Sequence, residues 1–298
     1  VYGLGARADD DAAVRGIFAA KGRPADHPLI VHVLDVAGAE AFAAQLSDAA
    51  RRLITAFWPG PVTLVVARRP GVAAVAAGGL PTVGLRCPDH PVARALLQHA
   101  RARGVPGVAA PSANRFGRVS PTRAEHVLAE FGPELAVLDG GECREGIEST
   151  IVDCSRDPPR LLRPGTTERA RLEAALGQAL PGRDDAAPRV SGSLESHYAP
   201  RAAVGLAAGA ALDSAVAAAV ARHGPAGVAV YARRPVAAAA GTRTRPMPDN
   251  ARAVAHELFA VLRQFDAEGV GQIWVESPPD DPAWDGVRDR LQRAAAAR

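Results

Sequence analysis

The sequence predicts an α/β protein of two domains, and three observations carry that prediction. Short runs rich in β-branched residues recur between segments of helical periodicity. A stretch of Pro, Gly, Ser and Asp without periodicity, 181–200, separates two such patterns. The chain has 298 residues, 48% of them hydrophobic, enough for two packed cores. The expected organisation is therefore a domain over 1–180, a linker over 181–200 and a smaller domain over 201–298.

The elements follow in order. Asp9 to Asp11 supply an acidic first turn, and Val14, Ile17 and Phe18 give the apolar spacing of an amphipathic helix that Lys21-Gly22-Arg23-Pro24 ends. Leu29 to Leu34, Pro61 to Ala67, Thr82 to Arg86, Val105 to Ala110, Ala136 to Leu138 and Ser149 to Val152 read as strands of one sheet, bounded by Gly, Pro or Asp. Ala39 to Phe57 and Pro91 to Arg103 read as helices, and Thr122-Arg123-Ala124-Glu125 as a capping box opening another. Beyond the linker, strands are expected at Val204 to Leu206, Gly227 to Tyr231 and Gln272 to Glu276, with helices at Ala210 to Arg222 and Ala251 to Glu268. The second of these helices carries one apolar face through Val254, Leu258, Val261, Leu262 and Phe265. Asp280 and Asp281 before Trp284 mark a further helix start. Such β/α alternation implies a small parallel, Rossmann-like domain.

Composition narrows the function classes. No apolar run approaches the roughly 20 residues of a membrane span, and no signal-peptide pattern opens the chain, so a cytoplasmic protein is expected. Cys87, Cys143 and Cys154 are odd in number and widely spaced, which fits reduced thiols better than a disulfide framework or a zinc site. His90, His99 and His126 lack metal-ligand spacing and read as structural. A net charge of +3 demands no nucleic-acid groove but allows a local anion site. The string of a P-loop is absent. All but one of the 35 basic residues are arginine, the exception being Lys21. In a chain so rich in arginine, this position stands out as one where a compact ammonium serves and a planar fork does not.

Two short motifs carry chemistry. Lys21-Gly22-Arg23 precedes the Pro28 to His32 strand, so two cations sit at a turn feeding a strand end, where α/β folds bind ligands. Ala110-Pro111-Ser112-Ala113-Asn114 places a hydroxyl and an amide at another strand end. Alone, the first reads more readily as a solvated basic turn and the second as a plain turn. Together they resemble the Lys-x-Arg and Ser-x-Asn signature of YrdC-like domains. Further blocks resemble the same family in the same order: Tyr2-Gly3-Leu4-Gly5, Trp58 to Leu64, Thr82 to Arg86, Glu148 to Asp153 and Arg163-Pro164-Gly165. Ser196-His197-Tyr198-Ala199-Pro200 resembles the linker that closes over the active site in two-domain threonylcarbamoyl-AMP synthases. The resemblance covers most of 1–200 and, more weakly, the rest.

The resemblance implies a YrdC-like twisted mixed sheet with flanking helices and a smaller Rossmann-like α/β domain. It implies an enzyme joining L-threonine and bicarbonate to the AMP of ATP, with Mg2+ held mainly by phosphates and no metal ligands from protein side chains. The product would pass to a separate tRNA threonylcarbamoyltransferase. Carried over by motif, Arg23, Thr82, Ser112, Ser120, Arg163 and Tyr198 contact ATP, and His32, Arg86, Ala110 and Ser149 contact threonine. Lys21 and Arg23 are the expected catalytic cations, and Asn114 supports the Ser112 loop. His27 stands where the family usually has a nucleotide-contacting Asn, and one ring nitrogen still supplies a hydrogen bond. His197 is a general base by residue type and a lid hydrogen-bonder by position. The family also has a Pro-Thr-Glu-Thr segment before the Tyr2 block, expected upstream of Val1. The alternatives are a YrdC-like RNA-binding module and a carbamoyl-adenylate-handling domain of another carbamoyltransferase.

Overall fold

A computed structural model of the chain describes residues 1–192 and 194–296. Two compact units emerge. The first comprises Val1–Phe116, Arg123–Glu142 and Glu148–Ser193, the second Gly117–Thr122, Cys143–Ile147 and Leu194–Arg298. The linker stretch is thus divided, its first two-thirds going with the first unit.

In the first unit the chain runs β1 (Ala6–Arg7), α1 (Asp11–Lys21), β2 (Ile30–His32), α2 (Val36–Glu40), α3 (Asp48–Phe57), β3 (Val62–Ala67), β4 (Thr82–Arg86), α4 (Pro91–Arg101), β5 (Val108–Ala109), α5 (Ala124–Phe131), β6 (Thr150–Asp153), β7 (Arg160–Arg163) and α6 (Arg169–Leu176). Its seven strands form one mixed sheet in the order β1-β5-β2-β4-β3-β6-β7. Strands β2 and β4, and β3 and β6, are parallel, and the remaining pairs are antiparallel.

Strand alternation decides what each face of this sheet does. In β4, Val83 and Leu85 are buried in the main core with Val31, Leu64, Val66 and Val152. Thr82, Gly84 and Arg86 consequently share the opposite face. Helix α1 begins on Asp10, whose carboxylate accepts from the backbone N–H groups of Ala12 and Ala13, and ends on Gly22 in the left-handed region, φ 62°. Its buried stripe is Val14, Ile17, Phe18 and Lys21, so the lysine takes the next place on the core-facing side.

Several expectations are corrected. The run Ala136 to Leu138 is irregular and half-exposed, with Leu138 62% accessible: it has β propensity but no partner strand. The helix expected over Ala39 to Phe57 is two helices, because Ser47 caps a new start by accepting from Ala50 N–H. The capping box at Thr122 is not formed: Arg123 is the N-cap of α5 and makes no side-chain capping bond.

The second unit contains β8 (Ala203–Ala207), α7 (Gly209–His223), β9 (Val228–Ala232), β10 (Arg243–Pro246), α8 (Ala251–Ala267), β11 (Gln272–Glu276) and α9 (Asp285–Ala295). Its four strands pair in parallel, in the order β10-β9-β11-β8. The expected apolar face of α8 is buried throughout. Asp281 accepts from Ala283 N–H and opens a short 3-10 turn that runs into α9. Cys87, Cys143 and Cys154 are free thiols. Among the described residues, no helix is long and apolar enough to cross a membrane.

Candidate active site

The sheet face opposite the main core carries His32, Thr82 and Arg86 among the residues singled out from sequence. His32 at the end of β2 is the register partner of Arg86 at the end of β4. Burial, and then the Arg86 guanidinium, pull the His32 pKa down to about 3, so its ring is neutral at physiological pH. Arg86 Nε donates to the carbonyl of Gly60 at 3.0 Å, which ties its fork to the turn before β3. Ala110 lies just past β5, its N–H donating to Ile30 O at 3.0 Å.

Lys21 and the Ser112 loop form one assembly. The Lys21 ammonium, 2% exposed, donates to the carbonyls of Ser112 at 2.6 Å and of Asn114. Phe116 N–H in turn donates to Lys21 O, closing the loop on the end of α1. Burial and the nearby Arg23 charge lower the Lys21 pKa to about 7, while Glu130 and Glu148 oppose the shift. Beside it, Arg23 Nη2 donates to Pro28 O at 3.0 Å, and its guanidinium lies 5.6 Å from the Phe116 ring centroid. His27 meets the same ring edge-on at 5.4 Å, and burial followed by Arg23 lowers its pKa. The two motifs read from sequence are therefore joined by hydrogen bonds and by one shared aromatic ring.

A second buried assembly joins Ser149 to β7 and β3. Arg163, at the end of β7, wraps Ser149: Nε and Nη2 donate to its carbonyl at 3.1 and 2.8 Å, and Nη2 lies 3.3 Å from its hydroxyl. The Ser149 hydroxyl also pairs with Thr63 Oγ1 at 2.7 Å. Sequence reasoning did not select Thr63, although a hydroxyl within the otherwise apolar strand Val62-Thr63-Leu64-Val65-Val66 was the available signal.

On the same sheet face is a pocket lined by Ile30, Thr63, Val65, Thr82, Gly84 and Ile151 together with Arg189, Val190 and Ser191. The last three belong to the segment that follows α6. Ala187 and Val190 pack on Val65, Ile151 and Leu162, and Ser191 O accepts from Arg163 Nη1 at 2.8 Å. Asp184 is bridged by Arg156 and Arg160, and Arg189 pairs with Asp26. A composition that suggested a loose tether therefore hides an ordered segment. Its fastening is apolar packing and carbonyl hydrogen bonds, since exposed ion pairs contribute little.

Ser120 and Tyr198 stand in the second unit. Ser120 is buried and its carbonyl accepts from Arg263 Nε at 3.3 Å. Tyr198 is buried with φ 60°, an uncommon value for a residue with a side chain. Its ring lies 5.4 Å from Phe259, 4.2 Å from His197 and 5.2 Å from the Arg290 guanidinium.

The first unit therefore holds the buried cations Lys21, Arg23 and Arg163 and, on the pocket wall, the hydroxyls of Thr63 and Thr82, donors of the kind that suit phosphate and carboxylate oxygens. Among the described residues, no group of three or more His, Cys, Asp or Glu is arranged to hold a metal ion.

Residues 1–165 match a family model described as Telomere recombination, and 167–296 match one described as Threonylcarbamoyl-AMP synthase, C-terminal domain. The threonylcarbamoyl-AMP synthase of Bacillus subtilis is 36% identical over 308 aligned positions, covering 100% of this chain and 88% of the relative. That of Pyrococcus abyssi gives the same figures. The crystal structure of Pyrococcus abyssi Sua5 complexed with L-threonine superposes with a TM-score of 0.89 at 35% identity, covering 99% of this chain and 88% of that one. Matched by two family models and by relatives over its whole length, the chain belongs to the threonylcarbamoyl-AMP synthase family.

Proposed function

We propose that this protein is an L-threonylcarbamoyladenylate synthase, forming threonylcarbamoyl-AMP and pyrophosphate from L-threonine, bicarbonate and ATP. The observation that carries the reading is the collection of His32, Arg86, Ser149 and Arg163 on one face of a sheet whose other face is core, in a unit that also joins Lys21 to the Ser112 loop.

Each residue has a task that its chemistry supports. Arg86 offers a fork to the threonine carboxylate, with neutral His32 and the Ser149 hydroxyl beside it. Arg23 and Arg163 offer forks to the triphosphate, and Thr82 and Ser112 add uncharged donors. The threonine amine attacks bicarbonate with loss of water, or CO2 derived from it with loss of a proton, and an oxygen of the resulting carbamate attacks the α-phosphorus as pyrophosphate leaves. Catalysis then rests on positioning and charge neutralisation. Lys21 suits the second task, because a buried amine with its pKa near 7 gains most from an arriving anion. Mg2+ would arrive with ATP, held mainly by phosphate oxygens and water, the hard ligands it prefers.

We further place the protein in the cytoplasm, handing its labile product to a separate tRNA threonylcarbamoyltransferase. Pyrophosphate release tests the central reading. It should require ATP, L-threonine, bicarbonate and Mg2+ together. Equal release without threonine would refute the assignment, and salt-sensitive RNA binding indifferent to threonine would favour an RNA-binding module.

A further inference from the structure

Thr63 belongs to the Trp58 to Leu64 block, to which no role in the reaction has yet been given, and it is fully buried on the face that holds the site. A hydroxyl buried in a strand must be satisfied locally or it destabilises the sheet. The Thr63 hydroxyl is satisfied by the Ser149 hydroxyl at 2.7 Å. The Thr63 methyl points elsewhere: a Cβ on Gly84 would lie 3.6 Å from Thr63 Cγ2. Threonine thus sends its apolar arm over the pocket floor and its polar arm to Ser149.

Ser149 is held tightly for a residue preceding a strand. Its carbonyl accepts twice from Arg163, and the same guanidinium reaches its hydroxyl oxygen at 3.3 Å. What remains open is the direction of one proton. If Ser149 donates to Thr63, its proton is spent inside the protein. If Thr63 donates to Ser149, the Ser149 oxygen accepts from Thr63 and Arg163, and its own proton points away from both. A substrate oxygen in the site favours the second arrangement, since it supplies the acceptor that proton needs.

We propose that Thr63 is a positioning residue for the amino-acid substrate: its hydroxyl donates to Ser149 Oγ and so directs the Ser149 proton to an oxygen of the bound threonine. This inference rests on the proposed threonine site. It assigns Thr63 no contact with ATP. Its loss should therefore weaken threonine binding while leaving ATP binding and the chemical step nearly intact.

The test is Thr63→Val, which keeps the branched shape and removes the hydroxyl, alongside Thr63→Ser, which keeps the hydroxyl and removes the methyl. Steady-state pyrophosphate release and calorimetric binding of L-threonine and of a non-hydrolysable ATP analogue are measured on the full chain. Thr63→Val should raise KM and Kd for threonine about tenfold, the scale of one lost buried hydrogen bond, with kcat and ATP-analogue Kd within about twofold. Thr63→Ser should restore most of the threonine affinity. A merely structural role predicts the reverse pattern, with both ligands and kcat affected and Ser no better than Val. Thr63→Val with wild-type threonine KM, or Thr63→Ser failing to rescue it, overturns the inference. A wild-type chain that neither binds threonine nor releases pyrophosphate overturns the proposed function instead.

Discussion

Lys21 gives the most discriminating test of the site's electrostatics. It is 2% exposed, and burial holds its pKa near 7 against an ordinary 10.5. Between those values the unfolded chain carries a proton that the folded chain has shed, so stability climbs with pH through this window. Below it both states are protonated and the full burial penalty stands. From about pH 7 to about pH 9 the gain integrates to roughly 2 kcal/mol, at about 1.4 kcal/mol per pH unit once titration is complete. Lys21→Met removes the titrating group and leaves the Ser112 and Asn114 carbonyls without their donor. That loss, about 1–3 kcal/mol per carbonyl, is the same at both pH values. Urea unfolding of both proteins at the two pH values therefore isolates the lysine: the wild-type-minus-variant difference should grow by about 2 kcal/mol toward alkaline pH. A difference that stays flat would mean that the folded chain keeps this proton throughout, and the account of Lys21 as a group waiting for an anion would be wrong.

Three further outcomes follow from the same geometry. ATP binding near pH 7 should draw up to about half a proton from buffer as the phosphates restore charge to Lys21, and this uptake should vanish in Lys21→Met; calorimetry in buffers of differing ionisation enthalpy reads it directly. Gly165→Ala should lower the melting temperature by several degrees and impair threonine binding, because its Cβ would fall 2.5 Å from Thr150 N and 2.9 Å from the Ser149 carbonyl carbon, backbone atoms that have no room to yield. Gly84→Ala is the contrasting case, since its Cβ would meet nothing closer than 3.6 Å: thermal stability should hold within about 1 kcal/mol of wild type, and a large loss would show that the pocket floor is tighter than described.

How much was legible in sequence depends on where the information resides. Strand β4 at Thr82–Arg86, strand β11 at Gln272–Glu276 and the buried face of α8 come out as read, because alternation or helical spacing and bounding residues agree there. The edge strands β1, β7 and β10 escaped, being only two to four residues long and, in Arg160-Leu161-Leu162-Arg163 and Arg243-Thr244-Arg245-Pro246, lacking alternation. Of helix α9 only the start at Asp280 and Asp281 was read, its many charges hiding the rest. In the site, the Lys-x-Arg and Ser-x-Asn motifs were legible as residue types, and the burial of Lys21 was implicit in the 14, 17, 18, 21 spacing. The Thr63 pairing was not, since its partner lies 86 positions away and only the parallel β3–β6 ladder brings them together.

The division of labour between the two faces of the first sheet constrains how such a chain evolves. In Thr82-Val83-Gly84-Leu85-Arg86, neighbours in sequence answer to different selective pressures: 83 and 85 to the stability of the core, and 82, 84 and 86, under the proposed function, to the ligand. A mutational scan across this strand should beat with a period of two, melting temperature responding at one set of positions and turnover at the other. Drift in substrate preference can therefore accumulate on alternate residues without loosening the fold. A one-residue deletion here has no such freedom, because it exchanges the two sets and drives an arginine toward the core. The strand tolerates substitution in either role, and slippage in neither.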